Sequence, residues 1–192
     1  TLIKAGLKTG LFEVSGISYD RQGSRFQVRM PEGETAEIRS RLLGEHSIQN
    51  LIFGLATGRH FGLRLSTMAL AAGRIEPVEH RLELKPAGDI TIIDDAFNSN
   101  PTGARNAVDV LADFDSGRRI MITPGMVELG EEEEAENRAL GAYIGKSGID
   151  AVYLVGKQRT RPIQQGLQEA GYPEAQIKVF ASFYEARDYL NA

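Results

Sequence analysis

Residues 120–155 read IMITPGMVELGEEEEAENRALGAYIGKSGIDAVYLV, and this stretch decides the fold. The runs at 120–123 and 151–155 are short, apolar and free of charge, the pattern of buried strands, while 132–146 carries a helical spacing of apolar residues. The pattern extends in both directions. A run at 91–93 leads into a helical pattern over 102–114; a helix over 162–170 precedes a run at 177–180 and a last helix over 182–190. Strands alternating with helices of this length predict βαβ units, hence an α/β fold with a parallel sheet covered by helices.

Towards the N-terminus the period changes. LFEVSGISYD, SRFQVRM and TAEIRSRLL are short runs rich in β-branched and aromatic residues, separated by turn signals at Asp20-Arg21-Gln22-Gly23 and Pro31-Glu32-Gly33-Glu34. They predict a small antiparallel meander. From Ser47, read as the N-cap, apolar residues at Ile48, Leu51, Ile52, Leu55 and Ala56 form a helical stripe that Gly58 or Gly62 would close. A short helix over 66–73 ends before Pro77, and the boundary between two domains is placed there, giving 1–75 and 76–192.

Composition narrows the function classes. The 192 residues hold 22 Lys+Arg against 26 Asp+Glu, a net charge of −4 from interspersed signs, so no broad basic surface for nucleic acid or an anionic membrane is expected. The absence of cysteine excludes a disulfide framework, thiol catalysis and a Cys-type zinc site. No apolar run approaches the ~20 residues of a membrane span, and TLIKAGLKTG has no signal-peptide core, so a cytoplasmic location is the expectation.

In a parallel α/β sheet, ligands bind beyond the carboxyl ends of the strands. The residues after each predicted strand are therefore the place to look. The run at 91–93 is followed by Asp94-Asp95-Ala96-Phe97-Asn98-Ser99-Asn100-Pro101, two carboxylates and two carboxamides ahead of a helix that opens with proline. An Asx-rich turn capping that helix would account for two of these residues, not eight. The next strand ends in Pro124-Gly125-Met126-Val127-Glu128-Leu129-Gly130, and the third in Gly156-Lys157-Gln158-Arg159.

Two further clusters lie upstream. Gly44-Glu45-His46-Ser47-Ile48-Gln49-Asn50 puts Asn50 in the first helical turn, where a carboxamide suits an adenine edge, although taken alone a solvated or capping asparagine explains it as well. Glu79-His80-Arg81-Leu82-Glu83 offers a guanidinium able to grip phosphate with two bonds, or else a surface ion pair. Gly141-Ala142-Tyr143-Ile144-Gly145-Lys146-Ser147 imitates a P-loop but has three residues between its glycines where four are needed, and it ends a helix instead of opening one.

In this order the clusters resemble the Mur ligases, which build the peptidoglycan precursor. The helix-start motif G-x-H-N-x-x-N is matched by Gly44, His46 and Asn50, and P-V-x-x-R-x-E by Pro77, Val78, Arg81 and Glu83. The motif D-D-A-Y-N-A-N-P is matched by Asp94, Asp95, Ala96, Asn98, Asn100 and Pro101, with Phe97 for Tyr and Ser99 for Ala; it points to the branch that adds D-Ala-D-Ala. The resemblance implies a Rossmann-like C-terminal domain from residue 76, preceded by the tail of a central ATPase domain. It also implies an ATP-dependent ligase that phosphorylates the carboxylate of a UDP-N-acetylmuramoyl peptide and lets the incoming amine attack the acyl phosphate. By resemblance Asn50 contacts adenine, Arg81 the phosphates and Asp95 the ribose or phosphate side. His46, His80, Asn98 and Asn100 are candidates for orienting substrate.

The match departs from the family pattern at Ser47, which stands for a second asparagine, and at Thr123-Pro124-Gly125-Met126, which lacks the usual aspartate of L-G-D-M. The G-K-T P-loop, its magnesium-binding residues, the UDP-sugar domain and the last C-terminal strand have no counterpart here. The sequence thus reads as a fragment, inactive alone, of an enzyme that uses ATP and Mg2+. Alternatives are a ligase with another acceptor, of polyglutamate or cyanophycin type, and a non-catalytic nucleotide-binding module.

Overall fold

Alternating burial organises the first sheet. In the computed structural model, which describes residues 5–7, 12–97, 100–114 and 116–190, β1(Glu13–Asp20), β2(Gly23–Arg29) and β3(Thr35–Ser40) form an antiparallel meander in that order. Phe26 lies opposite Ile38 and Val28 opposite Ala36, so the apolar positions of neighbouring strands share one face. Phe26, Val28 and Ile38 are fully buried. The chain divides into two compact units, residues 1–97 with 113–116, and residues 98–112 with 117–192.

The first unit continues with α1(Glu45–His60) and α2(Leu65–Ala72), the latter packed on β3. The predicted stripe Ile48, Leu51, Ile52, Leu55 and Ala56 is the buried face of α1. Its start differs from the expectation. The N-cap is Gly44, at φ 87°, and Ser47 sits within the first turn with its hydroxyl 3.2 Å from His46 Nε2. At the far end Gly62 closes the helix: its N–H bonds Arg59 O, and Leu63 N–H bonds Gly58 O, the paired bonds of a left-handed C-terminal cap.

A second difference concerns residues 91–93. Instead of joining the parallel sheet as a buried strand, they lie in β5(Ile90–Asp94), which pairs antiparallel with β4(Glu83–Ala87) in a separate two-stranded sheet. The cause is the two-residue turn Gly88-Asp89, with Gly88 at φ 63°, a conformation that matches the twist of a tight hairpin. Ile90 and Ile92 are consequently exposed.

The second unit is the α/β part. The strands β6(Ile120–Thr123), β7(Ala151–Val155) and β8(Ile177–Phe180) form a parallel sheet in that order, and the helices are α3(Pro101–Ala112), α4(Glu133–Ile144), α5(Arg161–Glu169) and α6(Phe183–Leu190). Four of its core residues, Ile144, Leu154, Ile163 and Leu167, are fully buried, each stabilising the fold by roughly 1.5–3 kcal/mol relative to exposure. Helices α4 and α5 meet through two glycines. A Cβ on Gly141 would lie 2.1 Å from Ile163 O, and one on Gly166 2.0 Å from Arg138 O. Residue 141 of the P-loop imitation is thus a contact point inside a helix.

Candidate functional site

Four of the residues singled out by the sequence, His46, His80, Arg81 and Asp95, belong to the first unit and converge around one turn. The turn is His80-Arg81-Leu82. His80 has φ 60° and Leu82 φ 47°, so two non-glycine residues in the left-handed region flank Arg81. That conformation costs on the order of 1–2 kcal/mol per L-residue and persists where surrounding bonds hold it.

One such bond is the backbone bond of Arg81 N–H to Val78 O at 3.2 Å, and carboxylates supply others. His80 N–H donates to Glu83 Oε2 at 3.0 Å, and Leu82 N–H donates to Asp95 Oδ1 at 3.1 Å. The His80 ring is fixed by Nδ1 at 2.8 Å from Asp94 Oδ2, which also accepts from Lys85 Nζ at 2.6 Å. Lys85 Nζ reaches Glu83 Oε2 as well, at 3.1 Å. The hairpin register explains the grouping, because Glu83 lies directly opposite Asp94 and Lys85 is two residues further along β4.

Phe97 N–H donates to His80 O at 3.2 Å, which brings the exposed Phe97 ring beneath the turn. The Arg81 guanidinium carbon lies 4.8 Å from the centre of that ring. A guanidinium stacked on a ring keeps its N–H groups in its own plane, where they can meet acceptors such as phosphate oxygens.

Asp95 and His46 form the other side. The His46 ring folds back over Gly44: a Cβ at Gly44 would lie 2.9 Å from two of its ring atoms and 3.2 Å from Leu82 Cδ1. Lost solvation lowers the His46 pKa, against an opposing pull from the Asp95 charge. Lost solvation likewise raises the Asp95 carboxyl, against the Leu82 N–H bond and the His46 and Arg81 charges. Asp94 moves the other way. Partial burial alone would raise it, but hydrogen bonds from Lys85, His80 and Ala96 N–H outweigh burial and hold it low.

Asn50 lies one turn after His46 on α1 and is exposed. Asn100 belongs to the second unit, where it caps α3: Oδ1 accepts from Gly103 N–H at 2.9 Å and its carbonyl from Ala104 N–H at 2.8 Å. Asn98, with Ser99, lies outside the described residues. The residue that sequence reasoning passed over is Lys85. Its signal was available in Gly88-Asp89, a two-residue hairpin turn that aligns the charges of 83–85 with Asp94.

Among the described residues, His80, Glu83 and Asp94 each offer a ligand atom, all within 4.8 Å of one another, a spacing suited to a metal ion. The trio does not fit Mg2+ as it stands, because the Lys85 ammonium already bonds both carboxylates and would repel a second cation. Among the same residues no helix is long and apolar enough to cross a membrane.

Comparison with known proteins places this arrangement. Residues 80–192 match the family described as Mur ligase, glutamate ligase domain. The chain is 28% identical over 148 residues to the UDP-N-acetylmuramoyl-tripeptide--D-alanyl-D-alanine ligase of Bacillus subtilis, a match that covers 76% of this chain and 32% of the relative. The chain therefore spans about a third of that relative's length (32%). Its fold is similar to a crystal structure of MurF from Acinetobacter baumannii, with a TM-score of 0.77 and 26% identity over 96% of this chain and 38% of that one. MurF ligase from Thermotoga maritima, crystallised in complex with ADP, superposes with a TM-score of 0.74 at 16% identity, covering 95% of this chain and 40% of that one. The family match takes in more than half of the residues and opens at His80, on the turn that carries Arg81, and the chain belongs to the Mur ligases.

Proposed function

We propose that the chain supplies the end of the central ATPase domain, residues 1–75, and most of the C-terminal Rossmann-like domain, residues 76–192, of an ATP-dependent ligase of peptidoglycan precursor synthesis. The reaction joins D-Ala-D-Ala to a UDP-N-acetylmuramoyl peptide. The γ-phosphoryl group of ATP passes to the terminal carboxylate and ADP leaves; the dipeptide amine then attacks the acyl carbon, loses a proton and expels phosphate. The observation that carries this reading is the meeting of His46, Arg81 and Asp95 at one turn. Relatives named for this activity and an ADP-bound structural neighbour support it.

In this reading Arg81 contacts the phosphates from its perch on Phe97, and Asp95 the ribose or phosphate side. Asn50, exposed on α1, meets the adenine edge, where a carboxamide both donates and accepts. His46 and His80 border the same turn and orient the reacting groups; Asn98 and Asn100 are assigned to the incoming dipeptide. Asn100 does so with its carbonyl side committed to capping α3. Mg2+, which would screen the phosphates, is assigned to residues outside this chain, and the 192 residues alone are expected to be inactive.

Phosphate release tests the reading. The intact ligase should release phosphate from ATP when given the UDP-sugar peptide and D-Ala-D-Ala, and not when glutamate replaces the dipeptide. Release with glutamate alone would transfer the assignment to a polyglutamate-type acceptor.

A further inference from the structure

The contact between Arg81 and Phe97 is held through hydrogen bonds to the backbone of the turn. Both backbone N–H groups flanking Arg81 end on carboxylates, His80 N–H on Glu83 and Leu82 N–H on Asp95. The carbonyl of His80 receives Phe97 N–H, so ring and guanidinium are anchored to the same residue. The His80 side chain in turn rests on Asp94, 2.8 Å away, and Lys85 ties Asp94 to Glu83. Beside the backbone bonds of Arg81 N–H to Val78 O and Phe97 N–H to His80 O, the bonds to the His80 N–H and ring thus run through one cluster of two carboxylates and one ammonium.

We propose that Asp94, braced by Lys85 and Glu83, is a positioning residue that fixes the His80–Leu82 turn and so presents Arg81 on the Phe97 ring for ATP. The inference rests on the reading of Arg81 as a phosphate contact. It explains why a trio with metal-ligand spacing carries its own cation: the ammonium neutralises the carboxylates while leaving their outer lone pairs to the turn. It also separates the two adjacent aspartates by role. Asp95 bonds the turn at Leu82 beside His46, and Asp94 acts through His80.

The test uses the 192-residue chain, with NMR reporting both ATP titration and the Arg81 side-chain resonances. Packing on Phe97 should shift the Arg81 Hδ and Hε signals upfield in the unmodified chain. Asp94→Asn should abolish that shift and weaken ATP binding by about 3–10-fold. Lys85→Met should act in the same direction, and Lys85→Arg, which keeps the cation, should retain both signals. If Asp94→Asn does not fold, Lys85→Met alone decides. Adding Asp94→Asn to Arg81→Ala should weaken ATP binding no further, because the first residue works through the second. An unchanged Arg81 upfield shift in folded Asp94→Asn and Lys85→Met overturns the positioning role. Unchanged ATP binding in Arg81→Ala, or none in the unmodified chain at 10 mM (about 3 kcal/mol of affinity), overturns the phosphate reading instead, while the ring-shift result still decides whether Asp94 positions Arg81.

Discussion

Asp94 and Asp95 are neighbours in the chain, yet their carboxylates face different partners: Asp94 accepts from Lys85 Nζ at 2.6 Å and from the His80 ring at 2.8 Å, whereas Asp95 accepts the Leu82 N–H at 3.1 Å beside His46. The first accepts hydrogen bonds beside the Lys85 ammonium and is held below the ordinary carboxylate range; the second has lost solvent and is raised. Adjacent groups of one chemical type are thereby pushed apart in acidity.

The two aspartates should oppose each other in pH-dependent stability. Asp94, depressed in the folded chain, contributes stability above its unfolded value and loses it as pH falls through the folded value. Asp95, raised in the folded chain, detracts from stability at neutral pH, and this penalty disappears as pH falls through its folded value towards the unfolded one. At pH 7, Asp94→Asn should lower unfolding free energy by about 0.5–1.5 kcal/mol, a modest figure because the partners are half-exposed. Asp95→Asn, whose amide oxygen can still accept from Leu82, should be neutral or slightly stabilising. Urea denaturation compares the variants, and carboxyl carbon NMR resolves each titration; Asp95 titrating below Asp94 would sink the assignment.

Gly44→Ala should disturb His46 more than the helix it precedes. The position has φ 87°, and the added methyl would meet the imidazole at 2.9 Å. Backbone strain at φ 87°, ψ 148°, a region open essentially to glycine alone, contributes about 1–3 kcal/mol of destabilisation, and the ring must move away from the new methyl. The expected result is a lower melting temperature together with a His46 pKa that returns upward as the ring regains solvent. Ring-proton NMR follows that titration directly, and an unmoved His46 titration would contradict the geometry.

Much of this architecture is legible in the chain because single elements carry strong periodic signals. The buried stripe of α1 and the strands at 120–123 and 151–155 can each be recognised without reference to a partner. Residues 91–93 cannot. Three β-branched residues, two of them isoleucine, look alike whether both faces are covered or one faces solvent, and only the turn at Gly88-Asp89 shows that the partner is the preceding strand. The site divides on the same line. Motif spacing singles out His46, His80, Arg81 and Asp95, which are close in space, but Lys85 owes its place to cross-strand register. Asn100 shows the opposite case: an Asx cap ahead of a helix opening with proline is a local signal, and its Oδ1 does accept from Gly103 N–H.

Replacing Gly166 should separate two helices. Its missing side chain lets α5 approach Arg138 O and Ala142 N of α4, at 2.0 and 2.7 Å from where a Cβ would stand. These atoms are backbone, so rotamer changes cannot relieve the overlap. Gly166→Ala should therefore destabilise by about 1–3 kcal/mol or more, despite the higher helix propensity of alanine. Thermal unfolding of the variant should fall by several degrees, and an unchanged or higher midpoint would show that the helices can slide apart at little cost.

Asn137 sets the loop that follows β6, and its removal should loosen that loop before it unfolds the unit. Buried at 1% exposure on α4, it accepts from Met126 N–H at 2.8 Å and donates to Met126 O at 2.9 Å and Glu133 O at 2.8 Å. The loop it holds is under strain of its own, with Glu128 left-handed at φ 64° between Gly125 at 82° and Gly130 at 61°. Asn137→Leu fills similar volume but leaves the Met126 N–H and carbonyl without these partners, at about 1–3 kcal/mol for each unsatisfied group. Asn137→Asp should cost at least as much, since its buried carboxylate still accepts from Met126 N–H but faces Met126 O and Glu133 O with no proton to donate. Amide exchange at Met126 should therefore quicken strongly in both variants. Equal protection at Met126 in both variants and the unmodified chain would mean that the loop is held by something other than this side chain.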